Sequence, residues 1–308
     1  MATHAVASEF NSHESWSILT DIEKSIKAKI EAVGTPLKDW DVSINYGIKT
    51  GFNDAFIIDS AKREQILSNC LTDEERERTE AIIRPILRGR DIKRYSYDFA
   101  DQYIIATFPS RQYNIEDYQA LKSFLLCFGK ERLEQTGKEY VINGEKVKSR
   151  KKTNNKWFET QDSIGYWDLL VQPKIIWGEI SDRSKFCLDE KGIYFPEATT
   201  FMLSGEQLPY LLAFLNCNVS EYIFSLIGTT TGVGTVRWKK YKILELPVPK
   251  KLQKEQYDAI VTLCNKIINT QDGSIESTPD IEKLNELINN VYGLSDEEVL
   301  FINSHLRK

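Results

Sequence analysis

The chain has 308 residues, of which 28% are charged and 41% hydrophobic, and its formal net charge is −5. This length allows one large or two modest domains, and the mixed helical and strand-like periodicities exclude disorder as the main state. A membrane span and a signal peptide are not expected, because no run of about 18 apolar residues exists and the N-terminus lacks an apolar core. Five scattered cysteines and three histidines near the chain ends predict neither disulfides nor a zinc site, and favour a reduced, cytoplasmic setting.

The charge is distributed unevenly along the chain. Residues 84–94 carry five basic side chains against one acid, residues 130–156 carry nine against four, and residues 231–251 carry six against one. Residues 272–308 carry eight acids against three bases. Because phosphate binding depends on the local field, the net charge does not exclude a nucleic-acid partner. An ordinary solvated surface is the alternative interpretation of each basic segment.

The first half of the chain mixes helical and strand-like patterns. Residues 1–12 are small and polar, which predicts a linker, a tag or a frayed terminus. Asp41–Ile48 and Ala55–Ile58 flank a Gly-Phe-Asn-Asp turn, which predicts a hairpin. The other expected elements are a helix from Ser15 or Ser17 to about Val33, helices at 60–69 and 73–87 with Thr72 capping the second, a strand at Tyr103–Phe108, and a helix at Asn114–Gln135.

The second half begins with a stretch rich in Lys, Asn and Gly at 137–156, which predicts an exposed loop or flexible hairpin. Three strands are expected next, at Lys174–Ile180, Lys185–Asp189 and Thr199–Leu203. Helices are then expected from Ser204 to about Asn216, at Val219–Ile227, and near 253–269, 279–291 and 296–305, with a linker at 270–278.

These elements predict an α+β fold with mixed, mainly antiparallel sheets, packed helices and a C-terminal helical segment. The expected domain organisation is a linker or tag at 1–12, one domain at 13–270, and a C-terminal helical extension at 271–308 that packs on that domain. Trp177 is expected in the core.

Motifs of common catalytic sites are missing. The Lys-Thr pair within residues 47–51 lacks the spacing of a P-loop, which argues against a nucleotide site there. The G-x-G at 232–234 lies in a loop and does not open a helix after a strand, which argues against a dinucleotide site. Asp182, Asp189 and Lys191 are a better candidate, since magnesium-dependent nucleases need carboxylates for the metal and a lysine near the phosphate. The run after Asp189 is also a common turn composition, which is the simpler interpretation. A magnesium-dependent DNA nuclease therefore stays an alternative function.

The three basic segments contain residue types that bind nucleic acid. Arg88–Tyr95 is a compact arginine cluster in which Gly89 permits close backbone approach and Asp91 can orient an arginine. Residues 146–158 combine lysines with two aromatic residues, as in loops that follow a phosphate backbone. Thr229–Lys240 combines small hydrogen-bonding residues with a cationic cluster.

Together with a polar stretch near residue 50, these segments supply the candidate DNA-binding residues. A protein-interaction module with incidental basic loops is the remaining alternative for the whole chain. The candidates are Asn45, Lys49, Thr50, Arg88, Arg90, Lys93, Arg94, Lys148, Arg150, Lys151, Lys152, Lys156, Thr230, Arg237 and Lys239.

The order of several segments resembles a known family, the TaqI-like C-terminal specificity domain. This domain occurs in adenine-specific DNA methyltransferases and in fused type IIG restriction–modification enzymes. The resemblance covers roughly residues 15–305 and depends on five ordered motifs. They are Ile44–Phe56, Ile86–Tyr95, Pro173–Ile180, Leu211–Asn216, and Arg237–Tyr241 leading to Leu246–Pro249.

The resemblance implies a target recognition domain that binds duplex DNA opposite a catalytic domain in the same or a partner chain. In such enzymes the methyltransferase half binds S-adenosylmethionine and flips an adenine, and a nuclease half, when present, uses Mg²⁺. The sequence contains neither the Asn/Asp-Pro-Pro-Tyr/Phe motif nor a glycine-rich turn for the methyl donor, so we expect no catalysis and no cofactor in this chain. The resemblance places Gly47–Asn53 and Arg88–Tyr95 at or beside the DNA face and makes 137–158 the best candidate for target-specific contacts.

Overall fold

The computed structural model describes residues 19–230, 234–270 and 279–306. The predicted linker at 1–12 and the predicted caps at Ser15 and Ser17 lie outside these ranges, as does nearly all of the predicted linker at 270–278. Thr20 caps the first described helix, because its side chain accepts a hydrogen bond from the Glu23 N–H and the Glu23 carboxylate accepts one from the Thr20 N–H.

Helices and strands are interspersed through the described part of the chain. Its helices are α1 (Asp21–Val33), α2 (Asn53–Phe56), α3 (Ser60–Ser68), α4 (Asp73–Ile82), α5 (Gln119–Leu126), α6 (Lys130–Leu133), α7 (Trp167–Leu170), α8 (Leu208–Leu215), α9 (Asn218–Ile227), α10 (Lys240–Ile243), α11 (Lys254–Thr270), α12 (Pro279–Val291) and α13 (Asp296–Leu306). Its strands are β1 (Gly34–Pro36), β2 (Val42–Tyr46), β3 (Ile57–Ile58), β4 (Ile83–Leu87), β5 (Tyr103–Ile105), β6 (Glu139–Ile142), β7 (Glu145–Lys148), β8 (Lys174–Gly178), β9 (Ile180–Ser181), β10 (Phe186–Asp189), β11 (Phe195–Pro196), β12 (Thr200–Gly205), β13 (Thr229–Thr230), β14 (Val236–Arg237) and β15 (Pro247–Pro249).

A four-stranded antiparallel sheet in the order β10-β8-β12-β2 lies at the centre of the molecule. Every residue of β8 and β10 is buried, as expected for strands covered on both faces. Since successive side chains point to opposite faces, Ile175 and Trp177 enter one core while Ile176 enters another. The predicted core position of Trp177 is confirmed.

The first of these cores joins the central sheet to helices from both ends of the described chain. It contains Ile26 and Ile30 of α1, the almost wholly buried helix α8, and apolar residues of α11, α12 and α13. The C-terminal helices therefore share a core with the sheet instead of forming a separate one.

The second core lies between the central sheet and a mixed sheet in the order β11-β4-β5-β3. Strands β11 and β4 are parallel, while β4 and β3 each pair antiparallel with β5. A third cluster lies between this sheet and helices α3 to α6. The predicted fold class, α+β with mainly antiparallel sheets and C-terminal helices, is confirmed.

The predicted hairpin between Asp41–Ile48 and Ala55–Ile58 is wrong. Strand β2 pairs with β12, and β3 pairs with β5, while Ala55 lies in the short helix α2. The period-2 pattern identified a half-buried strand, but the choice of partner was set by the buried central sheet and not by the nearby turn.

Two predicted helices end earlier than their apolar pattern suggested. The helix predicted at 73–87 ends at Ile82, and Ile83–Leu87 is a strand that contains Pro85, because proline cannot continue a helix and favours an extended preceding residue. The predicted Asn114–Gln135 helix is broken near Gly129, whose φ is +84°.

Other local predictions agree with the structure. Thr72 caps α4 by accepting from the Glu75 N–H, the basic stretch at 137–156 contains the β6–β7 hairpin, and the three strands expected in residues 174–203 are present. Ser204 is an exception, since it lies in β12 and the helix it was expected to cap begins at Leu208.

Among the described residues no single helix is long and apolar enough to cross a membrane. The pair α8 and α9 meets the length and composition criteria only when joined across a 63° bend.

Candidate nucleic-acid interface

The arginine-rich motif forms a single 3₁₀ turn, Gly89–Asp91, between β4 and the loop that follows it. The Asp91 side chain is buried and accepts hydrogen bonds from the Arg88 backbone N–H at 2.9 Å, from Nε at 2.8 Å and from Nη2 at 2.8 Å. This hydrogen bonding raises the pKa of Arg88. The bidentate geometry holds the Arg88 guanidinium in one orientation, as the sequence suggested for Asp91.

The same turn packs closely on the end of β8. A Cβ atom at Gly178 would lie 3.0 Å from the Gly89 Cα, so the two glycines allow the backbones to touch. The Gly89 N–H also donates to Thr199 Oγ1 at 3.2 Å, and that hydroxyl donates to a Glu197 carboxylate oxygen at 2.7 Å. These contacts fix the turn against the sheets.

Arg90 is the exposed residue of this turn. Its guanidinium makes no hydrogen bond or ion pair with any residue that the structure describes. The backbone that carries it is fixed on both sides, so Arg90 offers a free guanidinium fork on a rigid support.

Arg88 and Arg90 line an open cleft of about 890 Å³. The cleft brings together segments that are far apart in the sequence. Its lining is Asn53, Asp54, Ile57, Arg88, Gly89, Arg90, Ile92, Gln102, Glu179, Ile180, Ser181, Asp182, Lys185, Glu197, Ala198, Thr199 and Thr235.

Arg237 is tied to one edge of this cleft. Its Nη1 donates to Glu179 Oε1 at 2.8 Å, and its backbone pairs with Ile180 of β9. The next residue, Trp238, donates its backbone N–H to the Glu179 carbonyl at 2.7 Å and accepts from Trp177 Nε1 at 2.8 Å. The predicted cationic segment after the Gly/Thr loop is therefore anchored to the core and borders the cleft.

The cleft contains both acids and bases. Lys185 pairs with Asp182 at 2.7 Å; burial opposes ionisation of Asp182, but the hydrogen bond and charge of Lys185 lower its pKa. Glu179 and Glu197 add further acceptors, while Asn53 and Gln102 add amides. A mixed set of donors and acceptors suits the edges of bases better than a phosphate backbone, which requires mostly positive charge.

Two other residues of the arginine-rich motif point elsewhere. Arg94 is buried, and its Nε donates to the Asn216 carbonyl at 3.0 Å at the end of α8, where a positive charge is favourable. Lys93 forms an ion pair with Asp98 at 2.5 Å. Because Arg94 is enclosed by protein, we leave it out of the proposed interface.

Thr50 and Arg150, which were both DNA-contact candidates, are brought together inside the protein. Both are buried, and Arg150 Nη1 donates to the Thr50 carbonyl at 3.0 Å. Arg150 also donates to the carbonyls of Leu133, Trp157 and Glu159 at 2.6–2.8 Å, and burial lowers its pKa to about 10. Both residues hold the base of the β6–β7 hairpin, so we leave them out of the proposed interface as well.

The remaining candidates lie outside the cleft lining. Lys49, Lys148, Lys151, Lys152 and Lys156 are exposed, whereas Asn45 and Lys239 are partly buried. The Lys156 ammonium lies 5.5 Å from the Phe158 ring centroid. Thr230 pairs through its backbone with Val236, and the rest of that Gly/Thr loop, residues 231–233, lies outside the described ranges.

Several cleft residues were not singled out by sequence reasoning. Gln102, Lys185, Glu197 and Thr199 belong to ordinary strand and turn segments without a motif. Only the pairing of distant strands places them beside Arg88, so no local signal in the sequence marks them.

The carboxylate cluster considered for a nuclease has another role at Asp189. This side chain is buried, accepts from Lys174 Nζ at 2.6 Å and accepts from the N–H groups of Ile193 and Tyr194. It closes the turn after β10, as the turn composition predicted. Within the described ranges no group of three or more His, Cys, Asp or Glu side chains is placed to hold a metal ion.

Comparison with known proteins adds the following. A family model described as the TaqI-like C-terminal specificity domain matches residues 84–248. Among solved structures, the chain is similar to the type IIL restriction-modification enzyme MmeI in complex with DNA, at a TM-score of 0.56 and 12% identity over 89% of this chain and 36% of that one. It is also similar to the type IIG restriction endonuclease BpuSI, at a TM-score of 0.48 and 12% identity over 89% and 33%.

The chain spans about a third of the length of either enzyme. At 12% identity the likeness to MmeI concerns the fold alone. No curated protein matches the sequence.

Proposed function

Because the chain belongs to the family of TaqI-like C-terminal specificity domains, we propose that it binds duplex DNA at a preferred short sequence. In this proposal it is the target recognition part of a restriction–modification adenine DNA methyltransferase, with or without endonuclease activity. The chain itself is not catalytic. Methyl transfer and any cleavage belong to a catalytic domain in the same or a partner chain.

The observation that carries this proposal is the overlap of the family segment with the cleft. Fourteen of the seventeen residues that line the cleft fall within residues 84–248, and the other three are Asn53, Asp54 and Ile57. The segment that matches the family model therefore supplies most of the lining of the cleft beside the arginine turn.

The side chains of the cleft suit direct reading of base edges. An arginine fork such as that of Arg90 matches the O6 and N7 acceptors of guanine, and an amide such as that of Gln102 matches adenine. Carboxylates such as Glu179 accept from the cytosine amino group. Backbone phosphates are then left to the exposed lysines outside the cleft.

S-adenosylmethionine, and Mg²⁺ where the parent enzyme cuts, are proposed to bind in the catalytic part. We assign neither of them to this chain.

The proposal is tested by a mobility shift on duplexes of random sequence, followed by selection and sequencing of the retained DNA. We expect salt-dependent binding and enrichment of a short site. Arg90→Ala is the sharpest variant, because Arg90 is exposed and has no partner among the described residues; it should cost about 1–3 kcal/mol of discrimination at one base pair. Arg88→Ala is less clean, since it leaves the buried Asp91 unpaired.

Arg76→Ala is the matched control, because Arg76 is partly exposed on α4 and lies outside the cleft lining. Selection should be repeated with the catalytic part restored, since a specificity domain supplies one side of the DNA-binding clamp. Failure to enrich any sequence in either form would refute the proposed function.

A further inference from the structure

The β6–β7 hairpin is a short two-stranded ribbon that pairs with no other described strand. Glu139 pairs with Lys148 and Ile142 with Glu145 across four antiparallel positions, and Asn143-Gly144 closes the turn with φ values of +51° and +84°. Two successive turn residues with positive φ, one of them glycine, are typical of a tight hairpin turn. Four residues per strand give a ribbon about 13 Å long.

The two faces of this ribbon differ. Partners in an antiparallel pair share a face, so Glu139, Val141, Lys146 and Lys148 lie together on one side, and all four are exposed. Val141 is 72% exposed. The opposite face carries the half-buried Tyr140, Ile142 and Val147 next to the more exposed Glu145.

The lysines of this region have free charges. The ammonium groups of Lys146, Lys148, Lys151 and Lys152 make no ion pair or hydrogen bond with any residue that the structure describes. Some exposed or partly exposed lysines elsewhere, such as Lys38, Lys122 and Lys266, pair with carboxylates within 3.0 Å. Lys146 and Lys148 outnumber Glu139 on one face of the ribbon, so that face carries a net positive charge.

The base of the ribbon is rigid. Arg150, two residues after the end of β7, donates to four backbone carbonyls, and its guanidinium lies 4.9 Å from the Phe56 ring centroid. Ser149 Oγ is hydrogen bonded to the Lys138 carbonyl at 3.0 Å and to Thr136 Oγ1 at 2.9 Å. The orientation of the ribbon is therefore set before any partner binds, which reduces the entropy lost on binding.

We propose that this hairpin enters the major groove of the DNA, with Val141 toward the bases and Lys146 and Lys148 on the flanking phosphates. This inference rests on the proposed function and adds a second contact element outside the cleft. The major groove, about 12 Å wide, admits a two-stranded ribbon. Lys146 and Lys148 on this face complement the phosphate backbone, and the exposed apolar Val141 opposite Lys146 fits the methyl group of thymine.

The first test compares Lys146→Ala/Lys148→Ala with the unaltered chain on a selected duplex. Loss of two phosphate contacts makes the slope of log K against log salt less negative by about 1.8. This change corresponds to about 30-fold weaker binding at 0.15 M salt when the affinity at 1 M salt is unchanged. Lys254→Ala/Lys283→Ala, which removes two exposed lysines of α11 and α12, should leave both quantities unchanged. The thermal midpoint of every variant should match that of the unaltered chain, because none of these ammonium groups makes a hydrogen bond or ion pair with a described residue.

The second test locates the groove. Val141→Cys is introduced with Cys127→Ser, since Cys127 is the exposed cysteine of the chain, and is mixed with duplexes that carry a thiol tethered in the major or the minor groove. A disulfide crosslink with the major-groove thiol supports the proposal.

The outcomes separate the two levels of inference. Binding by the double lysine variant equal to that of the unaltered chain, or a crosslink confined to the minor groove, overturns the hairpin assignment and leaves the proposed function intact. Absence of duplex binding by the unaltered chain, with the catalytic part restored, overturns both.

Discussion

Lys174 and Asp189 form an ion pair at the edge of the central sheet that is closed to solvent. The two side chains are 0% and 2% exposed, and Nζ lies 2.6 Å from Oδ2. Lys174 also donates to the carbonyls of Leu170 and Gln172, and burial lowers its pKa while the nearby Asp189 opposes that shift. Removal of either partner leaves an uncompensated charge in the interior.

We therefore expect Lys174→Met and Asp189→Asn each to destabilise the protein by about 3–5 kcal/mol. This is a large part of the roughly 5–15 kcal/mol by which domains are stable. The double variant should lose much less than the sum, because no buried charge remains and the asparagine oxygen can still accept from the N–H groups of Ile193 and Tyr194.

Urea denaturation followed by tryptophan fluorescence measures the four free energies of this double-mutant cycle. A coupling free energy of about 2 kcal/mol or more is expected. Single variants that each lose less than about 1 kcal/mol, or a double variant that loses the sum, would refute the reasoning. The result also affects the nuclease alternative, because loss of cleavage in an Asp189 variant would report unfolding and not removal of a metal ligand.

Three further predictions concern other groups. Asp182→Ala should leave the thermal midpoint nearly unchanged, since the ion pair of Asp182 with Lys185 is partly exposed. The nuclease alternative would be favoured if the purified chain cleaved DNA with Mg²⁺ and this variant did not. Arg150→Lys should destabilise the protein by about 2–3 kcal/mol, because a lysine cannot donate to all four carbonyls, and increased hydrogen exchange in β6 and β7 would locate the effect; unchanged exchange there would contradict a role in holding the hairpin. Burial alone would raise the pKa of Glu298, but hydrogen bonds from Lys29, Ser25 and the Ser295 N–H lower it to about 2, against an ordinary value of 4.5. Since the pKa of Glu298 is lower in the folded state, this group contributes stability that is present above about pH 5 and lost as the pH falls toward 2. In Glu298→Gln the free energy of unfolding should therefore fall less steeply over that pH range. A pH profile identical to that of the unaltered chain would refute this prediction.

The elements that the sequence predicted well are those whose signals are local. The apolar run around Trp177 identified a buried strand without any knowledge of its neighbours, and Thr72 with Glu75 marked a helix start through contacts three residues apart. The Arg88–Asp91 contact also spans three residues, which is why the orienting role of Asp91 could be anticipated.

Structural features that depend on distant partners could not be predicted from the sequence. The pairing of β2 with β12 joins residues more than 150 positions apart, so a local hairpin was the natural but wrong choice. A charged side chain is normally exposed, yet Arg94 and Arg150 each donate to backbone carbonyls in the interior. The cleft itself has walls from separate segments, and no single stretch of sequence describes it.

The contact between α1 and α13 has a consequence for exchanging specificity between enzymes. Lys29 Nζ and Ser25 Oγ each donate to the Glu298 carboxylate at 2.7 Å, so the first and last described helices are in contact. A graft of residues 21–306 would keep these two helices together with the core that they share, and the flanking parts of a host protein would join adjacent helices. Cuts at the borders of the family segment, at Arg84 and Val248, would instead separate strands from the helices that cover them. Such a graft would transfer most of the cleft without the helices that pack on its sheets.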